Sequence, residues 1–122
     1  MQLSGGQRQR ASIIQQVLTG NNFILLDEPF SGLDALMIDR VLELLVRIST
    51  LNELNTLVIV SHDVENSLAI SDTAFILARQ KDKEGATITE TLDLIEMGFA
   101  WNPAIRENQA FQTLVSQIKH KI

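Results

Sequence analysis

Apolar positions along the chain fall into short blocks separated by polar turns. Residues 23–26 (FILL) form a continuous apolar run ending at Asp27, and residues 56–60 (TLVIV) form a second, rich in β-branched side chains. Short runs without alternation predict strands buried on both faces. Residues 73–78 (TAFILA) predict a third strand, and 86–91 a shorter one with weaker patterning. Between the first two strands, apolar positions 37, 38, 41, 42, 44, 45 and 48 repeat at helical spacing and make a wide stripe. Residues 3–20 predict a helix with Ser4 as N-cap and Gly5 and Gly6 in its first turn, stopped by Gly20, Asn21 and Asn22. Pro29 forbids continuation of the first strand, and Asp34 is placed to cap the helix that follows. A short helix is expected over 64–70 and a charged turn over 80–85. Asn102 followed by Pro103 predicts the start of a last helix, with Phe111, Leu114, Val115, Ile118 and Ile122 on one face.

Strands alternating with helices predict an α/β fold, a mainly parallel sheet with flanking helices. In such sheets ligands bind beyond the carboxyl ends of the strands. Asp27, Glu28 and His62 all fall at those ends, which makes them candidate site residues.

Composition narrows the class. Hydrophobic residues make up 45% of the 122 and aromatics only 5%, so the core must be mostly aliphatic. The net charge of −5 gives no basic face for nucleic acid, and no nucleic-acid partner is expected. There is no cysteine, which excludes disulfides and thiolate metal sites. The longest apolar runs are too short to span a bilayer, and the opening MQLSGGQ is too polar and glycine-rich for a signal peptide. A soluble cytoplasmic chain is expected.

Adjacent residues at a strand end point in different directions, so Asp27 can serve a metal while Glu28 faces a substrate. A carboxylate holding Mg²⁺ is usual where ATP phosphates are handled, and a neighbouring glutamate can orient or deprotonate a water. Taken singly, the pair fits a strand ending in two solvated acids better than a site, since such pairs are common at loops. His62 alone better fits a capping or half-buried histidine, and Asp34 alone is a good helix cap. Ser4, Gly5 and Gly6 at a helix start could present backbone N–H groups and a helix dipole to an anion.

The order and spacing of these pieces resemble the ABC-type ATPases. LSGGQRQR at 3–10 is similar to that family's signature motif, FILLDEP at 23–29 to its Walker B strand with the following glutamate, SGLD at 31–34 to its D-loop, and His62 to its switch histidine. The resemblance covers residues 1 to about 80. It implies that Asp27 holds Mg²⁺, that Glu28 is the catalytic base for the attacking water, and that His62 contacts the γ-phosphate. It implies that the Ser4, Gly5, Gly6 and Gln7 segment closes over ATP held by a partner subunit, and that Asp34 couples two sites across a head-to-tail dimer. Two departures from the family pattern are Gln15, where an arginine is usual, and Asn21, where proline is common.

A larger departure is an absence. No G-x-x-x-x-G-K-[ST] loop occurs in the 122 residues, nor does the family's adenine-stacking aromatic or its Q-loop. The expectation is therefore a partial P-loop NTPase layer lacking its N-terminal part: residues 1–92 as the C-terminal half of a nucleotide-binding domain, and 93–122 as a helical extension. Such a piece is expected to leave a sheet edge open and self-associate, and to lack ATP hydrolysis alone. For the whole protein the resemblance implies an ATPase subunit that energises an ABC transporter, importer type, using ATP and Mg²⁺. Its partners would be a second ATPase subunit and transmembrane permease subunits, at the inner face of the cell membrane. The alternatives are a soluble ABC ATPase outside transport and a non-catalytic remnant.

Overall fold

The computed structural model describes residues 4–122, so Leu3, the first residue of the LSGGQRQR stretch, lies outside the described residues. The chain divides into two compact units, residues 1–63 and 64–122. Residues 93–122 share one core with 64–92, so the packing boundary differs from the division at residue 92, which follows motif content.

The first unit contains helix α1 (Gly5–Leu18), strand β1 (Phe23–Asp27), helix α2 (Ala35–Leu51) and strand β2 (Thr56–Val60). The two strands are parallel, joined through α2, as a parallel pair requires a crossover. This is the α/β arrangement expected, a parallel sheet with flanking helices. Caps fix both helices. Ser4 Oγ accepts from Gln7 N at 3.2 Å while Gln7 Oε1 accepts from Ser4 N at 2.9 Å, a reciprocal capping box. Asp34 Oδ1 accepts from Met37 N at 2.8 Å. Gly20, at φ +75°, supplies the left-handed turn after α1.

Burial in β1 alternates instead of covering both faces: Ile24 and Leu26 are buried, while Phe23 and Leu25 are each 56% exposed. Val60 of β2 is exposed as well, and the rest of that strand is at most half-buried. The apolar run misled because in the described chain only one face of this pair is covered. Val41, Leu42, Leu45 and Ile48 form the buried stripe of α2, and Ile13 is the buried apolar side chain of α1. Truncating a fully buried leucine such as Leu42 or Leu45 to alanine costs about 2–5 kcal/mol.

The second unit holds helix α3 (Val64–Ala69), strands β3 (Thr73–Arg79) and β4 (Ala86–Asp93), and helix α4 (Gln109–Lys121). The third strand does not join the parallel pair. It forms an antiparallel hairpin with β4, because the 80–85 turn is too short for a crossover. Thr89 is left over at a bulge opposite Ile76 and Leu77, its hydroxyl donating to Ile76 O at 3.2 Å. Phe111, Val115 and Ile118 of α4 pack with Leu68, Ile76, Leu92 and Leu94. The expected single helix after Asn102 is two pieces, a 3₁₀ turn (Pro103–Glu107) and α4. Asn108 adopts an extended conformation between them and caps α4, its Oδ1 accepting from Phe111 N at 3.1 Å. Ile122 is exposed, not part of the buried face.

Candidate functional site

The β1–β2 register places the site. Phe23 pairs with Thr56 and Asp27 with Val60, so the two strands end level. Glu28 N donates to Val60 O at 2.7 Å and extends the ladder by one residue. The backbone then turns at Glu28, whose φ of +51° is left-handed, and buried Pro29 ends the strand. Ser61 and His62, leaving β2 at the same level, meet the Glu28 carboxylate.

Glu28 Oε1 accepts from His62 N at 3.1 Å and lies 2.9 Å from His62 Nδ1, while Oε2 accepts from Ser61 Oγ at 3.4 Å. Ser61 Oγ also accepts from Asp63 N at 2.9 Å. The hydrogen bond from His62 holds the Glu28 carboxyl below its usual 4.5, outweighing the desolvation that opposes it. The same bond, with the Glu28 charge, raises His62 above 6.5. An ionised carboxylate only accepts, so Nδ1 carries the proton and Nε2 is turned to other partners. The His62 side chain is 80% exposed, which leaves Nε2 accessible.

Asp27 is exposed at the end of β1, next to this cluster in sequence. Among the described residues no three His, Cys, Asp or Glu side chains gather closely enough to hold a metal by themselves. A lone carboxylate fits Mg²⁺ that arrives with nucleotide phosphates and keeps several waters. Ser4 and Gln7 are tied to each other at the start of α1, and Asp34 is engaged as a helix cap. Among the described residues no hydrogen bond joins this group to Glu28 or His62. Gly5 and Gly6 lie beside the loop and helix that follow β1: a Cβ at Gly5 would meet Leu33 Cδ2 at 3.4 Å, and one at Gly6 would meet Met37. Sequence reasoning assigned nothing to Ser61. Its signal was its place between a strand end and a candidate histidine.

The sequence of the first 31 residues matches the family described as ABC transporter. The uncharacterized ABC transporter ATP-binding protein YtlC of Bacillus subtilis is 38% identical over 119 residues, 96% of this chain and 44% of that protein. The chain belongs to the ABC-type ATPases. Two further relatives of this ABC-type ATPase chain are matched over a shorter stretch. The formylaminopyrimidine import ATP-binding protein ThiZ of Halalkalibacterium halodurans is 44% identical over 78 residues, 64% of this chain and 31% of ThiZ. The intermembrane phospholipid transport system ATP-binding protein MlaF of Haemophilus influenzae is 40% identical over 80 residues, 66% of this chain and 30% of MlaF. The chain thus spans less than half the length of each of these three relatives. Among the described residues, no helix is long and apolar enough to cross a membrane.

Proposed function

We propose that the chain is the part of an ABC transporter's ATP-hydrolysing subunit that carries the signature segment, the Walker B strand, the D-loop and the switch histidine. The observation that carries this reading is the hydrogen-bonded Glu28–His62 pair at the level ends of two parallel strands. When bound, MgATP supplies the phosphoryl group to be transferred and a metal that neutralises charge on its oxygens. Asp27 is the residue to hold that metal. Glu28, kept ionised by His62, accepts a hydrogen bond from water and orients it. Its depressed pKa suits orientation better than full proton abstraction at neutral pH. His62 offers Nε2 to a phosphate oxygen and is more readily cationic than a free histidine. Ser4, Gly5, Gly6 and Gln7 face nucleotide held by a second ATPase subunit, and Asp34 lies at that dimer contact. The absence of any hydrogen bond from this group to Glu28, among the described residues, favours two half-sites.

In this reading residues 1–92 carry the motifs and 93–122 form an accessory extension. The whole protein would work at the inner face of the membrane with permease subunits. The name of ThiZ, an import protein, supports the importer type. The 122 residues alone are expected to show no saturable MgATP hydrolysis, since they hold no phosphate loop. The test is to read the coding sequence upstream of Met1 in frame, express any longer protein, and assay it. A phosphate loop upstream and turnover lowered at least about 100-fold by Glu28→Gln, within the range of acid–base contributions, support the proposal. Turnover indifferent to Glu28→Gln, or an upstream frame closed without such a loop, overturns it.

A further inference from the structure

Ser61 touches the Glu28 carboxylate, yet the mechanism above gives it no part. It follows β2 directly and is half-buried. The turn it opens fixes its hydroxyl: Oγ accepts from Asp63 N at 2.9 Å, a serine turn closed two residues on. That bond uses a lone pair, so the single hydroxyl proton is left for an acceptor. Among the described residues the acceptor it reaches is Glu28 Oε2, at 3.4 Å.

The two Glu28 oxygens are therefore held differently. Oε1 takes two donors from one residue, His62 N at 3.1 Å and His62 Nδ1 at 2.9 Å. Oε2 has Ser61 Oγ alone. An ionised carboxylate offers about four lone-pair sites, so Oε1 is filled and one site on Oε2 stays open. The Glu28 side chain is 37% exposed, which lets water reach that site. The oxygen left to accept from a water is thus the one that Ser61 meets. With Oε1 pinned, the carboxylate can still pivot about that atom, and the Ser61 hydroxyl is the second point that sets where Oε2 lies. At 3.4 Å the bond is long for O–H···O, usually about 2.7–2.8 Å, so it steers Oε2 without gripping it.

We propose that Ser61 is a positioning residue for hydrolysis, its hydroxyl aiming the Glu28 oxygen that faces the attacking water. The proposal rests on the ATPase reading of Glu28.

The test measures MgATP hydrolysis by the longer protein read from the upstream frame. Parent, Ser61→Ala, Ser61→Thr, Ser61→Val, Glu28→Gln and the double variant Ser61→Ala with Glu28→Gln are compared. Ser61→Ala should lower kcat about 5-fold, the worth of one modest hydrogen bond. KM for MgATP should stay nearly unchanged, because aiming a water acts on the transition state and not on nucleotide binding. Ser61→Thr keeps a hydroxyl and should recover most of the loss, while Ser61→Val, the same shape without it, should not. In the Glu28→Gln background Ser61→Ala should lower turnover no further, since the hydroxyl acts through the carboxylate. Unchanged circular dichroism across the Ser61 variants separates lost positioning from lost folding. Full-speed Ser61→Ala, Ser61→Val as active as Ser61→Thr, or a loss confined to KM overturns the proposal and leaves the ATPase reading standing. So does a loss that persists in Glu28→Gln, which would trace to the turn at Asp63 instead. Turnover indifferent to Glu28→Gln, or an upstream frame without a phosphate loop, is a different failure: it overturns the ATPase reading and the proposal with it.

Discussion

Gly6 lies buried in the first turn of α1, where a Cβ would sit 2.6 Å from Met37 Sδ and 2.9 Å from both Met37 Cβ and Cγ. Gly6→Ala therefore sets two effects against each other. Alanine is favoured over glycine by up to about 1 kcal/mol in a helix interior, and by less this close to the N-terminus. Overpacking costs about 1–3 kcal/mol. The far end of Met37 can swing away, which removes the closest contact. Its Cβ cannot move without shifting α2, whose buried stripe of Val41, Leu42, Leu45 and Ile48 is fixed in the core. Packing should win, leaving a net loss of about 1–2 kcal/mol, which corresponds to roughly 4–8 °C of melting temperature per kcal/mol in a domain of this size. Urea melts followed by circular dichroism, with amide exchange across α1 and α2, measure it. The single tryptophan, Trp101, sits in the other unit and is the wrong probe. Met37→Ala in the same chain removes Sδ and Cγ and should return part of the loss, a coupling of about 0.5–1 kcal/mol. A Gly6→Ala chain as stable as the parent, or more so, would refute the reasoning and show that the α1–α2 contact is soft.

Other consequences are more direct. Asp34→Ala removes the bond to Met37 N and should cost about 1 kcal/mol, measured by the same melts; Asp34→Asn should cost much less, and equal losses would argue against capping. The His62 ring should titrate above 6.5 by NMR and return toward it in Glu28→Gln, while an unmoved value would dismiss the ion pair. Stability follows two signs: Glu28, lowered from 4.5, contributes above that pH and loses its share as pH falls through its folded value. His62, raised from 6.5, contributes below that pH and loses its share as pH rises through its folded value, so the pair is strongest between the two. Because Glu28 stands at φ +51°, Glu28→Gly should melt higher than Glu28→Ala, and the reverse order would place the left-handed turn elsewhere. The exposed face of Phe23, Leu25 and Val60 should drive association at high concentration, weakened by Leu25→Lys; sedimentation as monomer alone would contradict this.

What could be read from the sequence was what a few neighbouring residues decide. The caps at Ser4 and Asp34 were readable because their bonds close within three residues. The Thr56–Val60 strand was readable because β-branched residues fill it. Burial of β1 on one face was not, since an unbroken apolar run is the same whether one face or two are covered. The antiparallel β3–β4 pair and the break at Asn108 were locally signalled, by a short turn and by a second asparagine cap. A parallel-sheet reading and a continuous apolar face outweighed those signals.

Glu28 is the instructive case. Local rules place a residue before proline in an extended conformation, yet Glu28 is left-handed. The bonds from Glu28 N to Val60 O, and from His62 N, His62 Nδ1 and Ser61 Oγ to the carboxylate, come from β2 and the turn that follows it, more than thirty residues away. Non-local bonds thus hold a conformation that the local sequence disfavours, because strained backbone persists only where its surroundings over-determine it. The motif named the residue, but only the register of β1 on β2 shows why its carboxylate turns toward His62 instead of continuing along the strand.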